Sequence, residues 1–398
     1  MLANKSRGFQ VISYIFLFIV LTGSLSANES DTRVYIAVAM YLLLFCVYAL
    51  LWKKIDTIRY PIAISMIMLT VWIYGLFLGL FNENNTASVL RNFAGMSVYI
   101  LVFPLLNAGI NNKKYMKFIM AISEYALYIS IFTYIMLTYF NFRILFKIPI
   151  LNAFVGGGGI GGFVQYFCRE LILVAFAYYF YILLSKNTNI LKSIIIIMLA
   201  VYETLIVNDS GGDALAMAVL AVVIVLSQAR CMKPRTVILC LLAIVGMVGV
   251  YFYLGEGFLS RLFSMEDGGN IRRWEEINYF KKTITFWGYG LGKELGYAGS
   301  GKYNYGTELI YMNIFHKFGI FAVMILACYL STCVKAIRYL VNNEERNPEK
   351  VIPIALMAYL IPSLANPMLF SVLAVVSHLL AMIIISREDE KIQIERAI

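Results

Sequence analysis

Long apolar runs dominate this sequence and leave little room between them for a soluble domain. A bilayer-spanning helix needs about 20 apolar residues. Of the 398 residues, 61% are hydrophobic and only 14% are charged, whereas soluble domains are about 25% charged. The sequence therefore predicts one all-α integral membrane domain over residues 1–398. It excludes a soluble enzyme, a single-pass receptor and a nucleic-acid-binding protein.

Twelve spans are predicted from these runs, of which the eighth and the eleventh are the shortest. They cover residues 9–26, 34–52, 60–81, 89–110, 116–140, 167–184, 190–207, 214–228, 236–254, 307–330, 352–363 and 368–386.

Basic residues fall in alternate connections between the runs and predict the orientation of the chain. The clusters are Lys5 and Arg7; Lys53, Lys54 and Arg59; Lys113, Lys114 and Lys117; Lys186 and Lys192; Arg230, Lys233 and Arg235; Lys335, Arg338, Arg346 and Lys350; and Arg387, Lys391 and Arg396. Cytoplasmic loops of membrane proteins carry the excess of Lys and Arg. Both termini are therefore predicted to be cytoplasmic, and the net charge of +10 indicates orientation rather than nucleic-acid binding.

Two long connections fall on the predicted extracytoplasmic side. Residues 255–306 form the larger one, in which positive and negative charges nearly balance. Apolar residues recur there at intervals of three and four, which predicts an amphipathic helix with Glu275, Glu276 and Lys282 on its other faces. This helix is expected either at the extracytoplasmic interface of the membrane or packed on the bundle as a cap. The apolar positions are Trp274, Ile277, Phe280, Ile284 and Trp287.

The second long connection, 141–164, contains a run of glycines over 156–162. The run lacks the Lys-Ser/Thr end of a phosphate-binding loop. A flexible turn is the favoured interpretation, with a re-entrant loop that binds an anion as the alternative.

Ionisable residues within apolar runs are functional candidates by default, because burying them in a membrane is costly. Glu308 and His316 are the best placed, since they follow the long loop directly and lie about two helical turns apart. Either could act as a general base. The chain has only these two separated histidines, His316 and His378, so no histidine-rich metal site is predicted. His378 is interpreted as a core residue.

Short motifs around the long loop carry a family resemblance. The segments Ile271-Arg272-Arg273-Trp274 and Phe286-Trp287-Gly288-Tyr289-Gly290-Leu291-Gly292 resemble the arginine, tryptophan and Gly-x-Gly-x-Gly series of the O-antigen ligase and polymerase superfamily. In that superfamily the loop precedes a helix that opens with His or Glu, and a glycine follows eleven positions later. Glu308 and Gly319 match this spacing. The resemblance implies a GT-C-like fold with its large outer loop between spans nine and ten.

Two departures from the ligase pattern favour a Wzy-like polysaccharide polymerase. Glu308 stands where ligases usually have histidine, and residues 208–213 contain no arginine where ligases tend to have Ser-Arg-Gly. The alternatives are an O-antigen ligase, which transfers glycan to lipid A-core, and a lipid-linked oligosaccharide flippase. Flippases tend to have short loops and two repeated halves, neither of which is evident here.

The resemblance implies a glycosyltransferase of the bacterial inner membrane. It would polymerise undecaprenyl-diphosphate-linked repeat units into O-antigen or capsule on the extracytoplasmic face, with inversion and without a metal or other cofactor. The implied partners are the lipid-linked donor and acceptor, membrane lipids, a chain-length regulator and a flippase.

Roles for individual residues follow from this chemistry. Arginine binds phosphate oxygens through a planar fork, so Arg272 and Arg273, with Arg169 and Arg91 at the mouths of spans, are candidates for the diphosphate. The alternative for Arg169 and Arg91 is that their side chains simply extend to the membrane interface. Glu308 ranks above His316 as the base that activates the acceptor hydroxyl. Two aromatic residues are candidates for stacking on sugar faces or for the aromatic belt at the membrane interface. They are Trp274 and Tyr311.

The alternating basic clusters make a direct prediction about topology. Reporter fusions after Gly268 and Asn304 are expected to report an extracytoplasmic position, and fusions after Lys233 and Asn343 a cytoplasmic one. A cytoplasmic signal after Gly268 would contradict the orientation, because the loop would then face the cell's nucleotide-sugar pool.

Overall fold

Helices are the only regular elements in the described part of the chain. The computed structural model describes residues 2–21, 32–52, 57–108, 110–140, 169–185, 190–207, 210–229, 268–293, 295, 309–342, 347–364, 369 and 371–397. The α-helices, in chain order, are α1 Leu2–Leu21, α2 Thr32–Trp52, α3 Arg59–Phe81, α4 Thr86–Ser97, α5 Val102–Asn107, α6 Asn112–Thr138, α7 Arg169–Leu184, α8 Ile190–Tyr202, α9 Gly211–Gln228, α10 Gly268–Thr283, α11 Ile310–Phe318, α12 Ala322–Val341, α13 Ile352–Met357 and α14 Val372–Ala397.

Single turns of other helical types join several of these helices. A 3₁₀ turn, Val98–Leu101, links α4 to α5, and a π turn, Glu203–Val207, extends α8. The 3₁₀ turn Gly319–Phe321 links α11 to α12. Three further 3₁₀ turns, Pro348–Val351, Ala358–Leu360 and Pro362–Leu364, flank α13.

Six helical segments of the described residues are long and apolar enough to cross a membrane. They are Arg59–Phe81, Thr86–Asn107, Asn112–Met136, Ile190–Val207, Gly211–Gln228 and Ile310–Val341. This confirms the all-helical prediction within the described ranges and identifies an α-helical, membrane-embedded chain. The total of twelve spans stays a prediction, and the ninth run, 236–254, lies outside the described residues.

The tenth apolar run forms two helices rather than the one continuous helix that was predicted. Helix α11 ends at Phe318, and Gly319 adopts φ +54° and ψ −130°, a backbone conformation that glycine reaches far more readily than residues with a Cβ. The Ile320 amide donates to the Phe286 carbonyl at 2.8 Å. His316 therefore lies on a short helix that precedes α12.

The predicted amphipathic helix is present as α10, but it is shorter than expected and its buried face is different. It ends at Thr283, so Ile284 and Trp287 lie beyond it. Glu276 and Phe280 are fully buried, whereas the Trp274 side chain is 46% exposed. Glu276 was expected on another face, and it turns inward because its carboxylate accepts a hydrogen bond from the Leu309 amide at 3.0 Å.

A buried polar network around His378 links α14 to α12 and to the start of α3. Its Nδ1 is 2.7 Å from the Tyr99 hydroxyl, and its Nε2 is 2.8 Å from Thr332 Oγ1 on α12. The Tyr60 hydroxyl at the start of α3 lies 3.1 Å from the same Thr332 oxygen. Because both ring nitrogens have partners, the interpretation of His378 as a satisfied core residue is confirmed.

The two ends of the bundle differ in their chemistry. The turn 82–85 joins α3 to α4, and the segment 284–293 packs beside it. We refer to this as the loop end, which the charge pattern predicts to be extracytoplasmic. The opposite end carries Lys113 and Lys114 at the start of α6, and we refer to it as the basic end.

Candidate functional site

The glycine series 288–292 is a backbone segment inserted between α3 and the end of α11. The Tyr289 amide donates to the His316 carbonyl and the Gly290 amide to the Lys317 carbonyl, both at 2.9 Å. On the other side, the Leu291 amide donates to the Gly75 carbonyl of α3 at 2.8 Å. The segment therefore joins the two helices through hydrogen bonds of its own main chain.

Side chains from the 82–85 turn hold the same segment from a third direction. The Asn84 side-chain amide donates to the carbonyls of Tyr289 and Leu291, each at 2.8 Å. The Asn82 amide also donates to the Tyr289 carbonyl, at 3.1 Å. These contacts satisfy carbonyl groups that have no partner in a regular element, which buried backbone generally requires.

Glycine is required in this series both for conformation and for space. Gly288, Gly290 and Gly292 have φ values of +80°, +78° and +70°, which residues with a Cβ adopt only at a cost. A Cβ on Gly290 would come within 2.5 Å of the Cα of Gly79, and one on Gly292 within 2.6 Å of Val89 Cγ2. The motif that carries the family resemblance is therefore a packing motif in this fold.

His316 of α11 lies in a pocket of aromatic rings formed by α10 and the glycine segment. Its ring centroid is 4.9 Å from that of Tyr289, 5.3 Å from Phe280 and 5.6 Å from Tyr279. The histidine is fully buried, and neither ring nitrogen has a hydrogen-bond partner among the described residues. Because an unsatisfied buried polar group costs about 1–3 kcal/mol, such a group in a native fold calls for an explanation.

Two more polar side chains of α11 are buried beside His316. Asn313 lies one turn earlier and is fully buried, and its amide has no hydrogen-bond partner within the described ranges. Lys317 is also buried, and its Nζ donates to Asn92 Oδ1 of α4. The short helix thus places an amide, an imidazole and an ammonium group in the interior of the loop end.

Helix α10, which carries both loop arginines, is attached to α11 through Glu276. The Glu276 carboxylate accepts a hydrogen bond from the Leu309 amide, at the N-terminal end of α11. Leu309 is the N-cap residue of this helix, and its own side chain makes no capping hydrogen bond. Arg273 lies one turn before Glu276 on α10 and is half-buried. Residues three apart on a helix share a face, so Arg273 lies on the side of α10 that meets the bundle.

The other predicted site residues are more dispersed. Arg272 is on α10 and Arg169 begins α7, and Arg91 is half-buried on α4. The Tyr311 hydroxyl donates to the Leu360 carbonyl at 2.7 Å, and Trp274 remains largely exposed. The Glu308 prediction lies outside the described residues.

Buried carboxylates occupy the loop ends of three neighbouring helices. Glu170 and Asp213 lie in the first turns of α7 and α9, and both are buried; a helix N-terminus favours negative charge. Glu203 accepts a hydrogen bond from Ser130 Oγ at 3.0 Å. In the described ranges, no group of three His, Cys, Asp or Glu side chains is arranged to hold a metal ion.

Sequence reasoning missed several residues that now belong to the site. Asn313, Lys317, Tyr279 and Tyr289 were not singled out, and Glu276 was assigned to an outward face. The spacing of Asn313, His316 and Lys317 at three and four residues is a usable signal, because it puts three polar groups on one helical face.

Comparison of the chain with family models, with curated proteins and with solved structures found no match.

The glycine packing predicts a sharp loss of stability from one added methyl group. We expect Gly290→Ala to cost about 2–5 kcal/mol, from the unfavourable φ and from overpacking against α3. Its effect should appear as a lower midpoint of thermal unfolding in detergent and as faster proteolysis within 268–293.

Gly8→Ala is the matched control, because a Cβ on Gly8 meets nothing within 4 Å. This control is expected to leave both measurements nearly unchanged. Equal behaviour of the two variants would contradict the tight insertion of the glycine segment.

Proposed function

We propose that this protein is a polysaccharide polymerase of the membrane, which transfers a growing glycan from a polyprenyl-diphosphate carrier to the hydroxyl of an incoming lipid-linked repeat unit. The reaction is inverting and metal-independent, as the resemblance implies, and takes place at the loop end, on the extracytoplasmic face. The observation that carries the proposal is the attachment of α10, which bears Arg272 and Arg273, to α11, which bears His316.

The need for cations follows from the donor. Nucleotide sugars are confined to the cytoplasm, so a polymerase on the opposite face needs a donor that brings its own leaving group. A diphosphate leaving group develops negative charge as the glycosidic bond breaks, and preorganised cations stabilise such charge. Arginine supplies two parallel N–H donors to phosphate oxygens, which favours Arg272 and Arg273, with Arg169 and Arg91 as further candidates.

The need for a base follows from the acceptor. A sugar hydroxyl becomes an effective nucleophile when a positioned side chain accepts its proton. His316 is buried, and its ring nitrogens are without partners among the described residues, so an acceptor hydroxyl that reached it would find an available acceptor atom. Glu308, which precedes α11 by two positions in the sequence, is the other candidate and ranks first on the sequence pattern.

The surroundings of His316 are compatible with a carbohydrate. The rings of Tyr279 and Tyr289 lie beside the imidazole, and ligand sites commonly combine aromatic walls with a few polar groups. The buried Asn313 amide, one turn away, offers both a donor and an acceptor to a sugar hydroxyl.

The base assignment is testable with purified protein and a defined lipid-linked repeat unit. General-base assistance contributes about 10²–10⁴-fold, so removing the true base should lower turnover by that factor while donor binding is kept. We expect a loss of this size from either Glu308→Gln or His316→Gln, with a smaller effect from the other. Normal turnover by both variants would remove both residues from the reaction.

The roles of Arg272 and Arg273 are testable with variants that remove the charge or keep the charge and change the shape of the side chain. Arg272→Ala and Arg273→Ala are each expected to reduce polymerisation at least tenfold, and lysine at either position should restore only part of the rate, because a point charge lacks the bidentate fork. Lys281→Ala is the matched control, since Lys281 is an exposed cation in the last turn of α10. Wild-type polymer length from the Arg272→Ala, Arg273→Ala double variant would exclude both arginines.

The products formed in a deletion strain separate the proposal from its alternatives. Loss of a polymerase leaves single repeat units on the surface. Loss of a ligase leaves polymer on its lipid carrier, and loss of a flippase leaves repeat units on the cytoplasmic face. Either of the last two results would contradict the proposed reaction.

A further inference from the structure

A cleft of about 390 Å³ opens at the basic end, which is the end of the bundle opposite the glycine segment. It is formed by one face of α6 together with α7 and the 3₁₀ turn Pro348–Val351. Its lining includes the charged groups Lys117, Glu124 and Glu349 and the rings of Tyr125, Tyr128 and Tyr178.

The cleft is elongated along α6. Lys117, Ala121, Glu124 and Tyr128 line it and recur at intervals of three and four residues, so they share one helical face. From Lys117 to Tyr128 the helix rises roughly 16 Å. The Tyr125 and Tyr128 side chains are 66% and 42% exposed on a helix that is apolar enough to span the bilayer. The cleft therefore has a charged mouth and an aromatic flank that faces lipid.

Only part of the charge in the cleft is neutralised by the protein. Glu124 Oε2 forms an ion pair with Lys192 Nζ at 3.0 Å, and Glu124 Oε1 accepts a hydrogen bond from the Tyr179 hydroxyl. Neither Lys117 nor Glu349 has an ion-pair partner within 4.0 Å among the described residues. Lys117 and Glu349 therefore line the cleft without forming an ion pair within that distance.

Glu349 is a half-buried carboxylate at the mouth of the cleft. Burial raises the pKa of this carboxyl, while Lys113, Lys117 and a hydrogen bond from Asn347 act in the opposite direction without fully compensating. A cation bound beside the carboxylate would stabilise its ionised form.

We propose that this cleft binds one phospholipid whose headgroup carries a phosphate and a primary ammonium, with the phosphate on Lys117 and the ammonium on Glu349. A primary ammonium donates N–H bonds to a carboxylate, and a quaternary ammonium has no N–H to donate. The volume suits a headgroup-sized ligand, and the acyl chains lie along Ala121, Tyr125 and Tyr128. This site is independent of the proposed glycan chemistry.

The experiment is a lipid competition read by native mass spectrometry. Delipidated full-length protein in detergent is titrated with phosphatidylethanolamine, phosphatidylglycerol and phosphatidylcholine of identical acyl chains. We expect phosphatidylethanolamine to bind at least tenfold more tightly than either competitor, and Glu349→Gln to lose that preference. A tenfold change is about 1.4 kcal/mol.

Matched variants separate the cleft from a general basic surface. Lys117→Gln is expected to weaken binding tenfold, whereas Lys114→Gln removes the same charge from an exposed neighbour that does not line the cleft and should have little effect. Ala121→Phe keeps every charge and fills an exposed position on the cleft wall, so it should also abolish selective binding.

Three results would overturn the proposal. They are equal binding of phosphatidylglycerol and phosphatidylethanolamine by the wild type, equal losses from Lys114→Gln and Lys117→Gln, and unchanged selectivity in Ala121→Phe. Because the first comparison uses the wild type, a variant that does not fold leaves the test decisive.

Discussion

The insertion of a left-handed glycine segment between α3 and α11 is the constraint on which the loop end depends. Three residues with positive φ follow one another at alternate positions, and each gap they fill is too narrow for a side chain. Main-chain hydrogen bonds to Gly75, His316 and Lys317 then fix the segment. Because it follows α10 directly, the segment also determines where α10 meets the bundle.

Several polar side chains are buried at the loop end, and they are its candidate reactive groups. Glu276, Asn313, His316 and Lys317 are all buried, and groups of this kind are costly unless they are paired. Glu276 and Lys317 are bonded to Leu309 and Asn92. Of these four groups, the imidazole of His316 and the amide of Asn313 have no hydrogen-bond partner among the described residues. The other histidine, His378, differs because Tyr99 and Thr332 satisfy both of its nitrogens.

Sequence periodicity predicted the helices well where the segments are long and apolar. The run 190–207 coincides with the helix Ile190–Val207, and 60–81 differs from Arg59–Phe81 by one residue. Periodicity failed where contacts distant in sequence decide the structure. Asn84 holds carbonyls more than 200 residues away, and the Glu276–Leu309 hydrogen bond turns inward a carboxylate that local patterning assigns to a polar face. The break at Gly319 is likewise accompanied by a distant contact, the hydrogen bond from the Ile320 amide to the Phe286 carbonyl.

The central claim is that the donor diphosphate binds where α10 meets α11. Photo-crosslinking with a polyprenyl-diphosphate oligosaccharide that carries a photoreactive group next to the diphosphate tests this most directly, with the labelled peptides identified by mass spectrometry. The account predicts labelling within 268–293 and 309–320, and competition by unlabelled lipid-linked repeat unit. Labelling confined to residues 112–121 and 347–351, at the basic end, would contradict it.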